Sequence, residues 1–276
     1  MAEGDSIWRM ARTLDAVLTG RVVTEFESRL VPVQAAARRH RLVGQMVQGV
    51  EARGKHLILR FENGATLHTH MGLRGSWHLY RTSSRWRRPR TRARVVLTAG
   101  DAVAVCFNPA LVELLSPEEL RRHLQLRSLG PDAARSDFDA AHARKRLADR
   151  GAAEIGVALL DQRALAGVGN VFKSEVLFLC GVNPFVTVDS LPEKTLDAIV
   201  CTAAEQLRRS IKSGERRTTS ALAPGALWVY GRGGDACRRC GETVRRAFQG
   251  EQRRVTYWCP RCQPAPAESE PPPVPA

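Results

Sequence analysis

The stretch Cys237-Arg238-Arg239-Cys240, followed downstream by Arg253-Arg254-Val255-Thr256-Tyr257-Trp258-Cys259-Pro260-Arg261-Cys262, decides how the C-terminal part of this chain is read. Two C-x2-C pairs offer four soft thiolates, with room between them for two short strands. This spacing predicts a zinc ribbon in which Cys237, Cys240, Cys259 and Cys262 hold one structural Zn²⁺ tetrahedrally. A disulfide framework is the competing explanation. The remaining cysteines, Cys106, Cys180 and Cys201, stand singly in apolar or helical surroundings, as in a reduced protein, which favours the metal. Alternation along the second strand sets Val255 and Tyr257 on one face and Arg254, Thr256 and Trp258 on the other. The hairpin is therefore expected to pack on one side and display its arginine on the other.

The 276 residues suffice for two ordinary domains with the ribbon as an appendage to the second. No apolar run approaches the ~18 residues of a membrane-spanning helix, and no charged region followed by an apolar core opens the chain. A soluble cytoplasmic protein, with no membrane partner, is expected. Forty-two Lys+Arg against 28 Asp+Glu give a formal charge of +14, which favours a polyanionic partner, nucleic acid first. Generic surface charge is the alternative, since arginine greatly exceeds lysine. The run Arg85-Trp86-Arg87-Arg88-Pro89-Arg90-Thr91-Arg92 reads as a solvated basic loop.

Ile7, Met10, Leu14, Val17 and Leu18 share one face of an expected helix from Asp5 to Thr19, ended by Gly20. Short β-rich runs follow between Arg21 and Leu115, punctuated by turn signals such as Asn63-Gly64, and predict an antiparallel sandwich or barrel. Ser116-Pro117-Glu118-Glu119 is a strong helix start, and helical patterning continues to Ser213. Within it, Ala152 to Leu160 and Val171 to Leu179 flank Asp161-Gln162-Arg163-Ala164-Leu165-Ala166-Gly167-Val168-Gly169-Asn170. Two glycines before a helix let backbone amides face an anion, although a plain tight turn between packed helices is the usual explanation for so short a motif. The expected organisation is α+β and multidomain: a β-sandwich domain with its N-terminal helix over 1–115, a helical domain with connector over 116–227, the zinc hairpin over 228–263 and a disordered proline-rich tail over 264–276.

The order of these parts, with Ala2-Glu3-Gly4 at the start, the Leu-Asp-Gln-Arg-Ala-Leu-Ala-Gly-Val-Gly-Asn motif and the Arg-Val-Thr-Tyr-Trp-Cys-Pro-Arg-Cys-Gln end, resembles the formamidopyrimidine-DNA glycosylase/endonuclease VIII family. The resemblance covers residues 1–263 and is closest to the actinobacterial type of the endonuclease VIII branch. It implies a β-sandwich and a helix-two-turn-helix domain that clamp bent DNA from which the damaged base is flipped. It also implies that the α-amine of residue 2 is the nucleophile. Residue 2 here is Ala2, where the family usually carries proline, and this is the chief departure.

The resemblance further assigns Glu3 as proton shuttle, Lys55 and Arg254 as phosphate contacts near the lesion, Asn170 as a phosphate grip in the two-turn motif and Glu175 as a buried glutamate that orients the N-terminal segment. Leu73, in His70-Met71-Gly72-Leu73-Arg74-Gly75, becomes the candidate wedge for the vacated stack. Taken singly, Glu3 is a first-turn acid, Lys55 a solvated lysine, Glu175 a surface helix residue and Leu73 a core leucine. Phe107-Asn108-Pro109-Ala110-Leu111 lacks the arginine and phenylalanine with which the oxidised-purine branch fills the void. The implied function is a bifunctional DNA glycosylase and apurinic/apyrimidinic lyase that removes oxidised bases, pyrimidines preferred. It would act as a nucleoid-associated monomer on damaged duplex, bubble or single-stranded DNA. The rivals are a lesion or abasic-site binding protein impaired by Ala2, and a zinc-ribbon RNA-binding factor.

Overall fold

A computed structural model describes residues 2–219 and 226–265, which fall into two compact units dividing after Ser128. Most of the proline-rich tail and the centre of the 214–227 connector lie outside the described residues.

The first unit opens with α1 (Gly4–Leu18), whose Ile7, Ala11, Leu14 and Leu18 recur at helical spacing and are buried. Gly20 leaves it at φ +81°, a left-handed conformation that only glycine adopts without cost. The strands are β1 (Val23–Ser28), β2 (Val47–Arg53), β3 (His56–Phe61), β4 (Thr66–His70), β5 (Ser76–Arg81), β6 (Ala93–Ala99), β7 (Ala102–Phe107) and β8 (Leu111–Leu115). They form two antiparallel four-stranded sheets, ordered β1-β6-β7-β5 and β2-β3-β4-β8. Leu57, Leu59, Phe61 and Leu67 of one sheet, Phe26, Val95, Leu97 and Cys106 of the other, and the apolar face of α1 make one core. This is the expected sandwich with its N-terminal helix.

One element departs from expectation: α2 (Val31–Arg39), which sits inside the stretch read as strands and turns. Pro32 suits the first turn of α2, and Val33, Ala36 and Ala37 bury a face made mostly of alanine. Ser116 caps α3 (Pro117–Arg122): its Oγ accepts from the Glu119 amide at 3.1 Å, and the Glu119 carboxylate accepts from the Ser116 amide at 2.7 Å. The short α4 (Leu124–Arg127) follows.

The second unit comprises α5 (Ala140–Ala148), α6 (Ile155–Ala158), α7 (Asn170–Leu179) and α8 (Glu193–Ser213), followed by the hairpin of β9 (Arg245–Gln249) and β10 (Arg254–Trp258). The helix expected over 152–160 is thus only one turn. Residues 170–178 of α7 are all buried, and α5 and α8 pack around a core that includes Leu147, Phe172, Val176, Ile199 and Leu207. The ribbon's orientation reverses the expected one. Thr256 and Trp258 are fully buried while Val255 and Tyr257 are half-buried, so Arg254 shares the parity of the packed face and escapes it only by standing at the strand's start. A threonine hydroxyl with buried partners and an indole outweigh the polar sign that alternation alone would give this face.

Candidate active site and nucleic-acid interface

In the first unit Ala2 precedes α1 and helps line an open groove of about 630 Å³ together with Ser6, Met10, Leu73, Arg74, Gly75, Arg88, Arg92 and Asn108. Glu3 caps α1 and is fully buried; its backbone amide donates to Ser6 Oγ at 2.9 Å, which fixes the direction in which the N-terminal residues leave the helix. The groove therefore brings Ala2 together with the cationic side chains of Arg74, Arg88 and Arg92, while Glu3, next to Ala2 in sequence, is buried outside its lining.

Leu73 is 60% exposed, which rules out the core reading. It rides on a turn held by the Gly75 amide bonding to the Met71 carbonyl at 2.9 Å, with Met71 buried beneath. A Cβ on Gly72 (φ +60°) would come within 2.8 Å of the Ala110 Cβ, so the loop lies tight against the segment after β7. Lys55 is half-buried in the β2–β3 turn, between Gly54 at φ +58° and His56.

Arg88 and Arg92 come from the run read above as a solvated basic loop, in which Arg85, Arg87, Arg90 and Arg92 are exposed and Trp86 is half-buried. Trp86 stacks on Tyr80 with centroids 5.9 Å apart and meets Phe107 edge-on at 5.9 Å, while the Arg90 guanidinium lies 4.5 Å from the Trp86 ring centre. The aromatics fold the loop onto the sheet and leave its arginines without carboxylate partners among the described residues. Burial, then the charges of Arg88 and Arg87, push His78 below its ordinary value. The tryptophan between arginines was the available signal.

In the second unit, Gln162 builds the two-turn motif. Its side-chain nitrogen donates to the Leu160 and Val168 carbonyls at 2.9 and 3.0 Å, and its oxygen accepts from the Gly167 amide at 3.0 Å, with Gly167 at φ +97°. Asn170 begins α7 and donates from Nδ2 to the Val255 carbonyl at 2.6 Å. Glu175 is fully buried: its carboxylate accepts from the Trp228, Val229 and Tyr230 amides at 2.8, 2.9 and 2.8 Å and from the Thr218 hydroxyl. These donors occupy the carboxylate's acceptor positions, so it ties α7 to the segment entering the ribbon. Arg254 is half-buried, with Nη2 3.1 Å from Gln252 Oε1 and no carboxylate partner among the described residues.

A buried polar chain that sequence reasoning missed joins the hairpin to the helices. Lys173 Nζ donates to Thr256 Oγ1 at 2.6 Å, Thr256 Oγ1 donates to Gln249 Oε1 at 2.8 Å, and Gln249 Nε2 donates to Glu154 Oε2 at 2.9 Å and to the Pro184 carbonyl at 2.8 Å.

The four ribbon sulfurs lie within 4.8 Å of one another, Cys237 to Cys262 at 4.0 Å and Cys240 to Cys259 at 3.5 Å. A disulfide requires ~2.05 Å. Four thiolates ~2.3 Å from a common ion would stand ~3.8 Å apart, so the donor set and spacing fit a tetrahedral metal. The Glu242 amide lowers Cys240 to about 7, whereas burial and the neighbouring thiols raise Cys259 and Cys262. Such crowding opposes full ionisation unless a cation is shared.

Residues 1–110 match the formamidopyrimidine-DNA glycosylase N-terminal domain, and residues 129–221 match the formamidopyrimidine-DNA glycosylase H2TH domain. The chain is 41% identical to "Probable endonuclease 8 2" of Streptomyces coelicolor over 97% of its own length and 95% of the relative's. It is 36% identical to "DNA-(apurinic or apyrimidinic site) lyase Nei2" of Mycolicibacterium smegmatis, over 96% of this chain and 100% of that one. The fold is also that of Lactococcus lactis formamidopyrimidine DNA glycosylase bound to DNA containing an abasic site: TM-score 0.80, 24% identity, 95% of this chain and 100% of that one. This chain belongs to the formamidopyrimidine-DNA glycosylase/endonuclease VIII family. Its enzymatic class is that of the family, DNA glycosylase and apurinic/apyrimidinic lyase. No described helix is long and apolar enough to cross a membrane.

Proposed function

We propose that this protein excises oxidised pyrimidines from DNA through a Schiff base on the α-amine of Ala2 and then cleaves the strand. The observation that carries the proposal is the groove in which Ala2 meets the exposed Leu73 and the cations Arg74, Arg88 and Arg92, with the buried Glu3 next in sequence. An α-amine with a pKa near ~8 is far more often neutral at pH 7 than a lysine amine. Once Met1 is removed, the amine attacks C1′ of the flipped nucleotide; the C1′–N bond to the base breaks, and the base leaves with a proton delivered by the Glu3 carboxyl. The amine proton passes through Glu3 to O4′ as the C1′–O4′ bond breaks, which opens the sugar and leaves the Schiff base; protonated on nitrogen, this takes up the C2′–H bonding electrons as the Glu3 carboxylate accepts that proton, and the C3′–O bond to the 3′ phosphate breaks. Because Ala2 is a primary amine, its adduct is an imine that must be protonated to withdraw electrons, so elimination is slower than from a proline iminium.

Lys55, Asn170 and Arg254 contact backbone phosphates, and Leu73 fills the vacated stack. Zn²⁺ held by Cys237, Cys240, Cys259 and Cys262 would replace a core for the hairpin that carries Arg254. Leucine cannot hydrogen-bond an orphaned cytosine, and Asn108, the residue after β7 that lines the groove, brings no guanidinium. That segment therefore adds no reading of the opposite base. Single-turnover excision of thymine glycol or dihydrouracil, in single strand and duplex, is expected to exceed that of 8-oxoguanine opposite cytosine. A duplex preference for the oxidised purine would overturn the substrate assignment. The same Ala2 favours one alternative: a protein that binds abasic sites tightly and eliminates poorly.

A further inference from the structure

Outside the groove, the first unit contains a continuous chain of hydrogen bonds through three histidines, of which His56 and His68 are buried. The Leu126 amide donates to His123 Nδ1 at 3.2 Å, and His123 Nε2 lies 2.9 Å from Glu113 Oε2. The same oxygen is 2.9 Å from His68 Nδ1, and His68 Nε2 is 2.8 Å from His56 Nδ1. The sheet register creates the chain, since β4 sets His68 opposite Glu113 of β8 and His70 opposite His56 of β3.

Each link fixes the direction of the next. An amide can only donate, so His123 Nδ1 carries a lone pair and the proton of the neutral ring is on Nε2, aimed at Glu113. A carboxylate can only accept, so His68 carries its proton on Nδ1 and accepts from His56 Nδ1–H through Nε2. Burial lowers His56 to about 3 and also lowers His68 and His70, which keeps these rings neutral. A metal on His68, Glu113 and His123 would need the Nε2 lone pair of His123. That would move the proton to Nδ1, directly against the Leu126 amide, so the direction of the bonds favours a proton-ordered chain over a metal site.

The far end of the chain, His56, is the residue after Lys55, and Arg53 and His56 form the last cross-strand pair before the turn. We propose that Glu113 is a positioning residue that fixes the tautomers of His123, His68 and His56 and thereby holds the β2–β3 turn so that Lys55 meets a DNA phosphate. This inference rests on the reading of Lys55 as a phosphate contact. Without an acceptor at Glu113, His68 is free to place its proton on Nε2, where it opposes His56 Nδ1–H, and the turn loses its anchor. A glutamine oxygen can accept from both rings as the single Glu113 oxygen does, so Glu113→Gln keeps the chain.

The test measures Kd for duplex DNA bearing a tetrahydrofuran abasic analogue, with excision rates at saturating damaged DNA. Glu113→Leu should raise Kd about tenfold with the saturated rate nearly unchanged, Glu113→Gln should bind as the parent, and Glu113→Leu should add little in a Lys55→Ala background. Imidazole ¹⁵N spectra of the unmodified protein should show Nδ1–H tautomers for His56 and His68 and Nε2–H for His123, a readout that needs no variant to fold. An Nε2–H tautomer at His68, a full additional loss in the Lys55→Ala background, or a second zinc released by Glu113→Leu would overturn the proposal. Lys55→Ala with unchanged Kd would instead overturn the reading of Lys55, and the proposal with it.

Discussion

Asn170 Nδ2 donates to the Val255 carbonyl at 2.6 Å, so the residue that opens α7 is bonded to the residue that follows Arg254 in the ribbon. The two-turn motif and the hairpin are thus joined directly, and the hairpin carries the four clustered cysteines.

Structural zinc in small modules is worth on the order of 10–16 kcal/mol. Elemental analysis should find one zinc per chain, and chelation should expose the buried Trp258, shift its fluorescence to the red and abolish DNA binding while the β-rich unit stays folded. Absence of stoichiometric zinc in fresh protein would remove this prediction.

A Cβ on Gly156 would stand 2.4 Å from Gln249 Oε1, at the point where the hairpin enters the helices. Gly156→Ala should cost about 1–3 kcal/mol from overpacking, and Gln249→Ala in the same chain should recover part of it. Additive losses in thermal denaturation of the double variant would show that the contact is not the cause.

Much of this architecture was legible from periodicity and capping. The faces of α1, the Ser116 start and the cysteine spacing each carry a local physical signature. The buried chains were not legible, because they are set by register. His68 meets Glu113 only after β4 pairs with β8, and Thr256 meets Gln249 only once the hairpin closes. Helix α2 escaped because alanines at 36 and 37 give a weak apolar stripe. The face of β10 was misjudged because Thr256 and Trp258 pack inward beside an arginine of the same parity.

Arg254→Ala should weaken intact and abasic duplexes alike and lower the salt slope by about one phosphate contact. Leu73→Ala should leave stability within about 0.5 kcal/mol, as for an exposed side chain, yet slow excision from duplex more than from single strand. Equal slowing on both substrates would exclude a stack-filling role.

His56 has its folded value lowered to about 3 from 6.5, first by burial and then by the charges it would share with His68, His70, His123 and Lys55. The unfolded state therefore binds more protons between these values, and stability is present above pH 6.5 and lost as pH falls toward 3. His56 alone contributes a slope of up to about 1.4 kcal/mol per pH unit. Denaturant midpoints of the β-rich unit should fall through this window, and the His56 Cε1 proton should not titrate above pH 4. A midpoint that is flat from pH 6.5 to 4 would contradict this.

The central claim is that the α-amine of Ala2 is the nucleophile. Borohydride trapping on an abasic oligonucleotide, after intact mass has shown loss of Met1, tests it most directly. The account predicts a covalent adduct that peptide mapping places on Ala2, and its loss when Met1 is retained. Tight binding with no adduct, or an adduct mapped to a lysine, would contradict it.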